Sequence, residues 1–187
     1  KDGFSIVERV EFLLSSDTPL GISKSMGLGT IGFAQAFTRL QPDILLVLGD
    51  RFEMHAATAA AVPLLLPIAH MGGGAVTVGA IDDVFRHSIT KMSHLHFVAT
   101  EDYARRVIQM GEEPWRVVVS GAPSLDNIGS IDLLDRDRLS AHLGISFDQD
   151  PLIVTYHPVT LEYEETEQQV NDLLWALGES GLPVVFT

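Results

Sequence analysis

The sequence predicts an α/β fold built on a parallel sheet. Short apolar runs alternate with helix-length amphipathic segments. Several runs are apolar at every position, as strands covered on both faces are. Four of them end in Gly, His or Asp, where an open parallel sheet gathers its ligand-binding groups. Alternation of this kind builds βαβ units.

In chain order, the runs Ile44–Leu48, Pro67–His70, His96–Thr100, Val117–Ser120, Leu152–Tyr156 and Val184–Phe186 read as strands. The segments Ile31–Leu40, Glu53–Val62, Asp82–Ser93, Glu101–Met110, Arg136–Leu143 and Glu164–Ser180 read as helices. Asp82, Glu101 and the acids from Glu162 to Glu165 lie at or near helix starts, where the helix dipole favours negative charge. Gly111 and Gly181 stand where helices should stop. Residues 133–151 are polar and charged before a new strand opens at Leu152. The expected division is therefore a first α/β domain over 1–145 and the start of a second over 146–187. The entry at a DGF turn and the last strand PVVFT suggest a fragment of a larger two-domain protein.

The chain has 187 residues, 46% of them hydrophobic, enough for a substantial core. Its 12 basic and 25 acidic residues give a formal charge of −13. Such a field repels nucleic acid and anionic lipid, so a phosphate-bearing ligand needs a local positive pocket. With no cysteine, disulfides, thiol nucleophiles and thiolate metal sites are excluded. No apolar run reaches the ~18 to 20 residues of a membrane span, and there is no basic-then-apolar leader at Lys1. The expectation is a soluble, acidic, cytoplasmic protein.

Candidate chemistry sits at the strand ends. Gly49, Asp50 and Arg51 follow Leu48, His70 and Gly72–Gly74 follow Ile68, and His157 and Pro158 follow Tyr156. Asp50 reads either as a helix cap or as a functional acid. The triple glycine reads as a plain turn or as backbone open to a ligand. It has neither the dinucleotide spacing nor a Walker ending. Asp82 and Arg86 are four apart on one helix face, as are Asp83 and His87, which suits ion pairs or a phosphate-sugar. His87, His94 and His96 lack the spacing of a zinc site.

Four strings together resemble the hydrolysing UDP-N-acetylglucosamine 2-epimerases. They are Gly-Asp-Arg-Phe-Glu at 49–53, His-x-x-Gly-Gly from His70, Gly-x-Ile-Asp-Asp-x-x-Arg-His-x-Ile-Thr-Lys at 79–91, and Thr-Tyr-His-Pro at 155–158. The resemblance runs from Gly3 to Thr187 and implies two Rossmann-like domains of the glycosyltransferase-B type. It implies that the first strand with its basic loop, and the C-terminal segments that hold uracil, lie outside this chain. The implied reaction removes the C2 proton, eliminates UDP to a 2-acetamidoglucal, and adds water to release N-acetylmannosamine. By resemblance, Asp50, Asp82 and His157 are catalytic, with His157 and Arg86 near the nucleotide phosphates. Arg51, His70, Gly73, Arg86 and His87 fall at substrate-binding positions. The implied partner is a UDP-sugar, a homodimer is common in the family, and no metal or cofactor is called for.

Two positions depart from the pattern. Gly72 stands where the family carries an acid or a histidine, and Ala75 where it usually carries glutamate. Loss of one acid/base group typically costs ~10² to 10⁴ in rate. The alternative reading is therefore a catalytically impaired relative or fragment that still binds a nucleotide sugar.

Overall fold

The computed structural model describes residues 3, 5–16 and 18–187. Apart from Gly3, the DGF turn lies outside the described residues. The chain divides into two compact units, Lys1–Leu125 and Asp126–Thr187. The division expected at 145 falls later, after the helix Arg136–Leu143.

In the first unit, β1 (Leu45–Leu48), β2 (Ile68–Met71), β3 (Leu95–Val98) and β4 (Val117–Val119) form one parallel sheet in the order β1-β2-β3-β4. The connecting helices are α2 (Phe52–Ala61), α3 (Asp82–Met92) and α4 (Glu101–Gln109), so each step along the sheet is a βαβ unit. The expected parallel α/β fold is the one observed. Strand limits differ from the expected ones by a residue or two, the usual uncertainty of element ends.

α1 (Pro19–Leu40) begins well before the expected Ile31. Its start is locally encoded: Thr18 accepts a 3.1 Å hydrogen bond from the Gly21 amide, and Pro19 occupies the first turn. The glycines of its first half depress helix propensity and hide it from a pattern reading. Tertiary contact explains one of them: a Cβ on Gly29 would lie 2.9 Å from the Phe12 ring and 3.3 Å from Ala56. α1 packs on α2, whose buried face is almost all alanine.

The core beneath the site joins Val47, Ala61, Leu66, Ile68 and Ile89, with Phe37, Leu45 and Met54 against it. A second cluster, Val98, Ala104 and Val107, seats α4 on β3. The expectation of strands covered on both faces holds at β2, where Ile68, Ala69 and His70 are all buried. It fails at β1, where Leu46 and Leu48 are 59% and 60% exposed among the described residues. Periodicity registers that a residue is apolar, not whether anything covers it.

The second unit contains one parallel βαβ: β5 (Leu152–Val154), α7 (Thr166–Ser180) and β6 (Val184–Phe186). Ahead of it stands α6 (Arg136–Leu143), whose Asp135 cap accepts a 2.8 Å hydrogen bond from the Arg138 amide. A short helix that the sequence reading missed, α5 (Ser124–Ser130), spans the passage between the units. Among the described residues, no helix is long and apolar enough to cross a membrane.

Candidate functional site

The site-bearing segments meet at the carboxyl ends of β1 and β2. Backbone bonds extend the ladder there: Gly49 donates to the Met71 carbonyl at 2.9 Å, and Gly72 to that of Phe97 at 3.0 Å. Asp50 follows immediately, and α3 opens on Asp82 and Asp83. α3 buries Phe85, Arg86, Ile89 and Thr90 against the sheet, which carries Arg86 inward.

Arg86 is only 4% exposed and is the centre of the cluster. Its Nε donates to Asp50 Oδ2 at 2.9 Å, and its Nη2 to the same oxygen and to Thr77 Oγ1, the latter at 2.8 Å. Its Nη1 donates to Asp83 Oδ1 at 2.8 Å and to the Ala75 carbonyl at 3.0 Å. These five bonds use the five N–H groups of a guanidinium. Asp83 Oδ1 also accepts from the Thr77 amide at 2.9 Å, so one carboxylate holds both the loop and the arginine.

The pairing expected between Asp82 and Arg86 is not the one formed. A long helical side chain leans toward the helix N-terminus, and a buried guanidinium must satisfy every N–H. Arg86 therefore takes Asp83, three residues back, and Asp50 from the sheet. The expected face shared by Asp83 and His87 is present, at 3.5 Å from Asp83 Oδ2 to His87 Nε2. Asp82 stands outside these ion pairs, half-buried. Burial, and then the charge of Asp50, raise its carboxyl above the usual range, against the opposing pull of Arg51 and Arg86.

His70 lies under this cluster and is fully buried. Its Nε2 is 2.9 Å from the Gly49 carbonyl, which can only accept, so the proton sits on Nε2. Its Nδ1 lies 3.3 Å from Thr90 Oγ1, whose hydroxyl donates to the Arg86 carbonyl at 3.0 Å. Both ring nitrogens face protein atoms, and His70 buttresses the Gly49 carbonyl beneath the site. Burial is the main reason its pKa falls from 6.5 to about 4, outweighing its bond to Gly49. Below pH 6.5 the unfolded chain binds a proton that the folded protein refuses until about pH 4. Stability is thus expected to fall by about 3 kcal/mol as pH drops through this window. His96 and His55, also lowered chiefly by burial, add to the same slope. Urea titrations at pH 7 and pH 4.5 test this; His70→Gln should flatten the difference, and an unchanged slope would exclude His70 as its main source.

The glycine loop is held from both sides. A Cβ on Gly73 would come within 3.1 Å of Thr90 Oγ1 and 3.3 Å of His70 Nδ1. The Gly74 carbonyl accepts from Arg106 Nη1. Gly72 has a φ of +97°, yet a Cβ there would meet only Gly49, at 3.7 Å. Beside the loop, an open cleft of about 410 Å³ is lined by Leu48, Gly49, Asp50, Arg51, Glu53 and Met54. Arg51 stands exposed on its rim, in a two-pronged ion pair with Glu53 at 2.9 and 3.1 Å.

The profile of the UDP-N-acetylglucosamine 2-epimerase family matches residues 1–187. The chain belongs to that family. It is 39% identical over 171 residues to a GDP/UDP-N,N'-diacetylbacillosamine 2-epimerase (hydrolyzing) of Campylobacter jejuni, which covers 91% of this chain and 44% of that protein. It is 35% identical over 184 residues to a UDP-N,N'-diacetylbacillosamine 2-epimerase (hydrolyzing) of Legionella pneumophila, covering 98% and 48%. The crystal structure of the Neisseria meningitidis UDP-GlcNAc 2-epimerase bound to UDP-GlcNAc superposes with a TM-score of 0.71 at 20% identity, over 88% of this chain and 47% of that one. The chain spans about half the length of the curated relatives it matches. The Rossmann-like parallel sheet expected from the sequence is the fold these epimerases share.

Within this epimerase fold, Asp50, Arg51, His70, Gly73, Asp82, Arg86 and His87 all belong to the first unit. His157 belongs to the second, exposed just beyond β5. The zinc reading has no geometry behind it. His94 Nδ1 accepts from the Ile68 amide at 3.2 Å, His96 Nε2 faces Glu112 at 3.2 Å, and His87 faces Asp83. Among the described residues no cluster could hold a metal ion. Sequence reasoning missed Thr77 and the Ala75 carbonyl as partners of Arg86. No residue type marks a loop hydroxyl or a carbonyl as an acceptor before the fold is known.

Proposed function

We propose that the full-length protein is a hydrolysing 2-epimerase of a UDP-linked 2-acetamido sugar. UDP-N-acetylglucosamine is the substrate implied by the sequence motifs. The names of the Campylobacter and Legionella relatives favour a diacetylated homologue with the same C2 acetamido group. The observation that carries the reading is the pair of carboxyl groups at one mouth of the sheet, ion-paired Asp50 and Asp82 with its raised proton affinity. Two carboxyl groups in unlike settings are what acid and base roles require.

In this reading one carboxylate removes the C2 proton while the C1–O bond breaks and UDP departs, leaving a 2-acetamidoglucal. Water then gives hydroxyl to C1 and a proton to C2 from the opposite face, releasing the 2-epimeric free sugar. Arg51, Gly73 and His87 would hold the sugar diphosphate. Residues 146–187 would begin a second Rossmann-like domain. The enzyme would be cytoplasmic, homodimeric and free of metal.

A second reading, a binder with impaired chemistry, is favoured by Gly72 and Ala75, which bring no acid/base group to the loop. Proton NMR of UDP-N-acetylglucosamine and its diacetylated homologue in D₂O separates the two. UDP together with a free sugar deuterated at C2 is the expected result. Turnover by Gly72→His alone would establish the impaired binder, and its Cβ has room beside Gly49. Inert substrates with both proteins would remove the substrate assignment.

A further inference from the structure

We propose that Arg86 is the positioning residue of Asp50 and makes no contact with the nucleotide phosphates. The proposal rests on the functional reading above and deepens it at the same site. An arginine that binds phosphate must present at least one free N–H to the cleft, most often two in a fork. Arg86 is 4% exposed, and all five of its N–H groups are engaged by Asp50, Asp83, Thr77 and Ala75. Turning it toward a phosphate would strip a buried cation of these partners.

A second restraint reaches the backbone beside Asp50. The Arg86 guanidinium holds Asp50 Oδ2, and the carbonyl just before Asp50, that of Gly49, accepts from His70 Nε2 at 2.9 Å. His70 Nδ1 packs 3.3 Å from Thr90 Oγ1, whose one hydroxyl hydrogen goes to the Arg86 carbonyl at 3.0 Å. Arg86 thus restrains the Asp50 side chain directly, while buried His70 restrains the backbone just before it. His70 and Thr90 are fully buried, so water does not compete for these bonds. Both guanidinium contacts fall on Oδ2, which leaves Oδ1 as the oxygen to exchange a proton with the sugar.

Arg86→Lys in the full-length protein tests this, because lysine keeps the charge and loses the planar grip. Displacing a catalytic group by about an ångström lowers kcat by roughly 10²-fold. That loss is expected with KM, and UDP affinity measured by calorimetry, within about threefold of wild type. Adding Arg86→Lys to Asp50→Asn should lower the residual rate no further, since residues acting as one unit are not additive. Thr90→Val removes the hydroxyl held between the Arg86 carbonyl and His70 with little change of shape and should lower kcat by several-fold at constant KM, should Arg86→Lys not fold. A tenfold loss of UDP affinity in Arg86→Lys would overturn the proposal, as would full additivity with Asp50→Asn. Calorimetry decides between positioning and phosphate contact even without turnover, whereas an inert wild type refutes only the epimerase reading.

Discussion

Asp50→Asn in the full-length protein is expected to lower kcat by about 10²- to 10⁴-fold, the usual worth of a positioned proton-transfer group. Asparagine nearly preserves shape and can still accept from Arg86, so the change isolates the ability to exchange a proton. The stability effect should be smaller but real. The partners differ in burial, with side chains 4% exposed for Arg86 and 29% for Asp50. Neutralising the more exposed member leaves the buried cation to Asp83 and neutral oxygens. A hydrogen bond to a charged group is worth about 1.5 to 3 kcal/mol, so a loss of that order is expected in urea unfolding. A kcat within tenfold of wild type would remove Asp50 from proton transfer and leave it a structural counter-ion.

Gly74→Ala should produce the largest loss of stability of any single methyl added to the loop. Gly74 has a φ of +80°, and the new Cβ would lie 2.4 Å from the Tyr103 carbonyl oxygen and 2.9 Å from its carbonyl carbon and Cα. Those atoms are backbone in the first turn of α4, which Thr100 caps by accepting from the Tyr103 amide. Relief would require α4 to withdraw from the loop, parting Arg106 from the Gly74 carbonyl. Left-handed strain of about 1 to 3 kcal/mol and overpacking of similar size combine to roughly 3 to 5 kcal/mol. Gly72→Ala is the control. Its φ is just as unfavourable, but its Cβ would have ordinary contact with Gly49, so a loss of only about 1 to 2 kcal/mol is expected. Equal urea midpoints for the two variants would show that backbone conformation alone, and not the approach of α4, sets the cost.

The same loop shows how far the sequence could be read. Its string of glycines announced a tight turn beside the site, but not that Gly74 serves α4 while Gly72 opens on Gly49. The motif from Gly79 to Lys91 placed a charged helix start at the strand ends, and α3 begins at Asp82 as expected. The partner of Arg86 could not be read in the same way. Spacing offered Asp82 four residues back, and only the packing of α3 on the sheet turned the guanidinium toward Asp50 and Asp83. His70 is similar: its position after an apolar run suggested a ligand group, whereas the register of β2 between β1 and β3 buries it beside His96.

By itself the sequence determined what depends on neighbours along the chain. The alternation of strands and helices, the limits of α6 and β6, the stop at Gly181 and the acids at the starts of α3 and α4 all follow from periodicity, capping and turn chemistry. Only the tertiary structure decided the first half of α1, the exposure of Leu46 and Leu48 on β1 and the pairing of Asp50 with Arg86. At α1 and at Arg86 the deciding partner is distant in sequence: Phe12 and Ala56 at Gly29, and Asp50 thirty-six positions before Arg86. Burial and hydrogen-bond satisfaction are properties of the assembled layers, and a buried guanidinium takes the acceptors that folding brings to it.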